Sequence, residues 1–120
     1  MTQYMLLLYA EDAGEETRAQ RWAELPEWHA LTGELRDAAV WVANAALHPV
    51  ESATTVRVRD GGTAVTDGPF AVTREVLGGF YLVDCADLDE ALAVAARMPM
   101  ARYGSVEVRP VVEIPPDAGT

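Results

Sequence analysis

Tyr4-Met5-Leu6-Leu7-Leu8-Tyr9 is a run of six apolar residues closed by Ala10 and the acidic pair Glu11-Asp12. It is too short for a helix and is bounded like a buried strand. Successive strand residues point to opposite faces, so this run presents apolar side chains to both sides of whatever sheet it joins. Phe80-Tyr81-Leu82-Val83 has the same property. These two segments decide the fold, because a strand that is apolar on both sides must be covered twice.

Outward from them, the residues between Gly14 and Ala39 have helical spacing with Pro26 inside it. Proline suits a first helical turn and breaks an interior one, which predicts a short acidic turn of helix before Pro26 and a main helix after it. At about 100° per residue, Trp28, Leu31, Leu35, Ala38 and Ala39 form one packing stripe. Trp41 to Leu47 reads as a strand running into a loop at His48-Pro49. Thr54 to Arg59 alternates valines with arginines, Asp60-Gly61-Gly62 follows, and Thr63 to Thr66 completes a hairpin. Asp67-Gly68-Pro69-Phe70 and Gly78-Gly79 read as turns. Asp87 lies three residues before Glu90, the spacing of a helix N-cap with its acidic partner, and that second helix stops near Met98-Pro99. Ser105 to Arg109 alternates as a last strand, and residues 114–120 form a loose tail after a single domain over residues 1–113.

The expected order, β-α-β-β-β-α-β, is that of an α+β ferredoxin-like sandwich with an extra hairpin strand. Two helices cover one face of such a sheet. The second apolar face then calls for another copy of the chain, and a homodimer is expected.

Composition narrows the function classes. The 120 residues carry 19 acidic and 9 basic side chains, for a net charge of −10, and half of them are apolar. At this length folding buries roughly two thirds of the unfolded surface, enough for one core. Every basic residue is arginine, and no basic stripe exists, so nucleic-acid binding is disfavoured. No run approaches the ~20 apolar residues of a membrane span, and a cytoplasmic location is expected. With one cysteine, Cys85, and two histidines, neither an intrachain disulfide nor a dedicated metal cage is expected, and no cofactor motif is present.

The residues left to carry chemistry are few. His29 lies about 100° from Trp28 around the helix, at the margin of the packed stripe, with Thr32 and Arg36 between the two directions. A half-desolvated histidine there suits a general acid or base near neutral pH. The same place suits a side chain that merely covers the helix edge. Asp67 sits where a turn would fix it, and an aspartate can set a histidine's tautomer and stabilise its charged form; it equally suits ordinary turn chemistry. Arg57 and Arg59 oppose the valine face of the hairpin, where Arg57 could meet an anionic substrate, and Tyr81 could hold an oxyanion. His48 reads as a loop residue and Cys85 as a small core residue.

Thr66-Asp67-Gly68-Pro69-Phe70-Ala71-Val72-Thr73-Arg74-Glu75, followed by Leu77-Gly78-Gly79-Phe80-Tyr81-Leu82-Val83-Asp84, resembles the hallmark of the DGPF branch of the YCII-related family. Asp87 to Ala91 and Ala101 to Val111 continue the likeness, which spans nearly everything from Tyr4 to Val112. Val72 stands where the pattern usually has glutamate and Arg74 where it has lysine, while Asn44-Ala45-Ala46-Leu47 replaces a stretch that in relatives often carries glycines and an acid. The resemblance implies a ferredoxin-like domain pairing into a dimeric α/β barrel, with a histidine and an aspartate in a pocket; by position these are His29 and Asp67. Some relatives eliminate chloride from chlorinated aromatics, and the DGPF branch is often encoded beside alternative sigma factors. Two functions follow as expectations. One is a lyase-like or isomerase-like acid–base enzyme acting on a small aromatic or carbonyl compound, with His29 and Asp67 catalytic and Arg57 and Tyr81 binding substrate. The other is a ligand-binding or accessory protein without catalysis, linked to sigma-factor regulation.

Overall fold

The central strand is the run that opens the chain. The computed structural model describes residues 1–69, 71 and 73–118; Phe70, Val72 and the last two residues of the expected tail lie outside them. Strand β1 (Thr2–Glu11) pairs antiparallel with β5 (Glu75–Cys85) on one side and with β6 (Ser105–Pro110) on the other. Strand β2 (Trp41–Ala46) adds to the far edge of β5, giving the order β2-β5-β1-β6. Helices α2 (Leu25–Asp37) and α3 (Leu88–Ala96) supply the crossovers, as in a ferredoxin-like fold, and α1 (Glu15–Trp22) precedes α2.

Burial alternates along the two central strands. Tyr4, Leu6, Leu8 and Ala10 of β1 and Tyr81, Val83 and Cys85 of β5 are buried, and they form one core with Leu31 and Leu35 of α2 and Ala91, Val94 and Ala95 of α3. Each such leucine stabilises the fold by about 1.5–3 kcal/mol relative to an exposed one. The residues between them, Met5, Leu7, Tyr9, Phe80 and Leu82, are only half-buried, and across the strands Met5 faces Leu82 and Leu7 faces Phe80. The shortest extent of the molecule is 19 Å, enough for one sheet and one helical layer and too little for a third layer. Among the described residues the second face of the sheet is apolar and only half covered.

The α+β class and the antiparallel sheet agree with expectation, and the four strands read between the main helices are present, one more than the order β-α-β-β-β-α-β holds. The hairpin strands β3 (Thr54–Arg59) and β4 (Gly62–Asp67) form a sheet of their own and do not extend the main one. Asp60 and Gly61, both at positive φ, make the two-residue loop that joins them. Val56, Val58 and Val65 are exposed by 60–65%, so the valine face of the hairpin meets no core. Asp67 closes β4 opposite Thr54 instead of lying in the turn.

Two further readings change. Gly78 and Gly79 are inside β5, not in a turn. A Cβ at Gly79 would stand 2.6 Å from the Ala45 carbonyl oxygen, so glycine there permits the close approach of β2, which periodicity cannot reveal. Ala38 and Ala39 fall outside the packed stripe because α2 ends at Asp37. There Ala39 adopts φ 58, while the N–H groups of Val40 and Ala39 donate to the carbonyls of Leu35 and Arg36. That is a Schellman ending with alanine at the left-handed position where glycine is favoured. The predicted cap of α3 is present, the Asp87 carboxylate accepting from the Glu90 N–H at 2.9 Å.

Candidate functional site

Helix α2 has two working faces. Leu31 and Leu35 enter the core, whereas His29, Thr32, Gly33 and Arg36, spaced i, i+3, i+4 and i+7, line a cleft of about 830 Å³. The opposite wall comes from distant chain, chiefly Asn44 to Val50 and Val76 to Gly79, with Tyr81 at the base. Leu25, Trp28 and Leu47 make much of the lining apolar.

The floor is a hydrogen-bonded aromatic stack. Trp28 and Tyr81 lie with ring centroids 5.8 Å apart and planes inclined by 19°. The Thr32 hydroxyl donates to the Trp28 carbonyl at 2.8 Å, one helical turn back. Since that hydroxyl has one proton, the 2.6 Å contact between Thr32 and Tyr81 is made by the Tyr81 phenol donating to Thr32. Burial holds the Tyr81 phenol above its ordinary pKa, against the opposing pull of the Arg36 charge.

Around this floor, cationic groups gather despite the acidic chain. The Arg36 guanidinium stacks 4.4 Å above the Trp41 ring, whose indole N–H is fixed by the Asn44 side-chain oxygen at 2.8 Å. Arg36 makes no ion pair among the described residues. Arg18 bridges Asp12 and Glu51, each at 3.1 Å, tying the end of β1 to the short turn Val50–Ser52. Arg21 donates to the Glu11 carbonyl and stacks over Tyr103. Tyr103 donates to Glu24, and burial together with that carboxylate pushes its phenol up to about 12.

Of the expected site residues, His29 and Tyr81 line the cleft; Asp67 and Arg57, on the hairpin, do not. No hydrogen bond joins His29 to Asp67, and the exposed His29 imidazole makes no hydrogen bond among the described residues. Asp67 is exposed at the hairpin base, where its neighbour Gly68 donates to the Ala53 carbonyl. His48, read as a plain loop residue, lines the cleft. Arg36, Gly33, Thr32 and Trp28 were missed as site residues, although the i+3, i+4, i+7 positions counted from His29 point to three of them. Cys85 is buried as expected; burial and the nearby Glu90, Asp84 and Asp87 push its thiol up to about 11, which leaves no thiolate for chemistry near neutral pH. Among the described residues no group of three or more histidines, cysteines or carboxylates is placed to hold a metal ion, and no helix is long and apolar enough to cross a membrane.

The chain is similar to an uncharacterised protein of Rhizobium meliloti (strain 1021), with 54% identity over 69 residues. That match spans 56% of this chain and 56% of the relative. The family model described as the YCII-related domain matches residues 2–115. With the match running from the first strand past the last one, the chain belongs to the YCII-related domain family.

Proposed function

We propose that the cleft binds a small molecule and that His29 exchanges a proton with it, as in a lyase-like or isomerase-like acid–base reaction. The observation that carries this reading is an accessible imidazole on the wall of a mostly apolar cleft, beside an aromatic floor and an arginine that pairs with no carboxylate among the described residues. Such a wall desolvates a bound ligand and strengthens each polar contact made to it. Asp67 enters conditionally: it orients His29 only once the hairpin base moves or a second chain brings the two together. NMR titration of His29 tests this. A raised pKa that falls back in Asp67→Asn supports the dyad; an ordinary value unaffected by the substitution sinks it.

The protein is proposed to work as a homodimer, in which a second copy covers Met5, Leu7, Phe80 and Leu82 together with the bare hairpin valines. Light scattering behind size exclusion should give twice the chain mass of 13.0 kDa at micromolar concentration, and a stable single chain would refute it. A cytoplasmic setting belongs to the same reading, resting on one buried free thiol and no disulfide partner.

A second reading draws on the same imidazole. With no hydrogen bond among the described residues to fix its orientation, His29 suits a ligand-binding accessory protein, including one tied to sigma-factor regulation, as well as a catalyst. A ligand found by thermal-shift screening that stays chemically unchanged over long incubation would favour this alternative.

A further inference from the structure

Gly33 is an anomaly in its helix. Glycine is the residue that a helix interior tolerates worst after proline, so a mid-helix glycine usually marks a neighbour that would collide with a side chain. Here a Cβ would meet nothing within 4 Å. What occupies that direction is the cleft, with His29 one turn before and Arg36 one turn after on the same face. The missing side chain keeps open a slot along α2 between an imidazole and a guanidinium.

Arg36 closes one end of that slot. In a chain with 19 carboxylates, Arg18, Arg74, Arg97, Arg102 and Arg109 pair with acidic side chains. Arg36 instead holds its guanidinium carbon over the Trp41 ring, which Asn44 holds in place, and the positive charge reaches as far as the Tyr81 phenol. That contact with the ring face uses none of the N–H donors, and with no ion pair among the described residues they remain for a planar anion, which a guanidinium can grip in bidentate fashion. Glu11 and Asp12, the carboxylates of the cleft, are engaged by Arg74 and Arg18.

We infer that the cleft selects an elongated, flat carboxylate: its carboxylate group pairs with Arg36, its apolar body lies over Gly33, and its far end reaches His29. The seven-residue spacing sets about 10 Å along the helix axis between the two ends, a length that suits a fused pair of rings or a ring with a short arm. Gly33 is thus the position that determines specificity, and Arg36 is the anion anchor. The inference rests on the small-molecule reading of the cleft but not on any turnover there.

Calorimetric titration of the full chain with 2-naphthoate and with its neutral counterpart 2-naphthylmethanol tests it. The carboxylate is expected to bind about tenfold more tightly or better. Arg36→Met should bring that ratio close to one, and Arg36→Lys should retain part of it. Gly33→Leu should weaken both probes at least about tenfold with no fall in melting temperature, because leucine fills the slot and favours the helix. Equal binding of the two probes by the parent chain, or binding of neither, overturns the inference. So does an unchanged ratio in Arg36→Met or unchanged affinity in Gly33→Leu. The readout is binding alone, so a protein without catalysis still passes, whereas a catalytic His29 serving a neutral ligand fails here and keeps its titration signature.

Discussion

Strand β5 and the β3–β4 hairpin are both valine-containing, both antiparallel and both well formed, yet one is the centre of the core and the other is bare. Val83 is fully buried beneath α2 and α3, while Val56, Val58 and Val65 stay 60–65% exposed. The difference lies in neighbours. β5 is flanked by β1 and β2 and roofed by helices, whereas among the described residues each hairpin strand pairs only with the other. A lone two-stranded hairpin is marginal in water, and the spread of the molecule shows the same imbalance: its radius of gyration is 16.5 Å, against about 14 Å for a rounded domain of this length.

The strongest way to break this contrast is to truncate one apolar side chain in each region. Leu6→Ala, at a fully buried position of β1, should cost about 2–5 kcal/mol by urea denaturation, and Val65→Ala less than about 0.5 kcal/mol. A hairpin loss as large as the core loss would mean that a second chain covers the valines. Next in size is Gly79→Ala. Its new Cβ would press on the Ala45 carbonyl and should destabilise by about 1–3 kcal/mol, with the edge strand β2 losing amide protection first. A smaller effect of opposite sign is expected at the end of α2, where Ala39→Gly relieves the left-handed alanine and should stabilise by about 1 kcal/mol.

The smallest effect vanishes at neutral pH. Cys85, Tyr81 and Tyr103 all lie in the sheet-and-helix body, and each holds its proton more tightly when folded. The unfolded chain releases these protons first, near 9 for the thiol and 10 for the phenols, while the folded thiol and the Tyr103 phenol wait until about 11 and about 12. Stability should therefore be flat below pH 9 and fall as the pH rises to about 12. Tyr103→Phe should make that decline shallower, as followed by thermal melts across the alkaline range. The hairpin carries none of these groups, so its own opening should show no such dependence.

Local chemistry made much of the fold readable. The six-residue apolar run gave β1, Asp87 gave the start of α3, and Asp60-Gly61 gave the hairpin loop. Elements misread in the sequence depend on contacts between distant segments. Nothing near Gly79 in the chain announces the Ala45 carbonyl, and nothing in the valine alternation says that no partner comes. The cleft follows the same rule. His29 and Tyr81 were legible as candidates, but Arg36 gains its meaning from Trp41 and Asn44, and Gly33 from an empty space.

Tyr81 shows how the direction of one proton sorts ligands. Its hydrogen is committed to Thr32, whose own hydrogen is committed to the Trp28 carbonyl, so the phenol meets the cleft with lone pairs alone. An oxyanion, the group expected at Tyr81 from the sequence, would be turned away there and drawn to Arg36. A hydroxyl or N–H would be welcomed at Tyr81. The base of the cleft and its Arg36 end thus read opposite polarities, and a bound molecule bearing one acceptor group and one donor group is oriented by them.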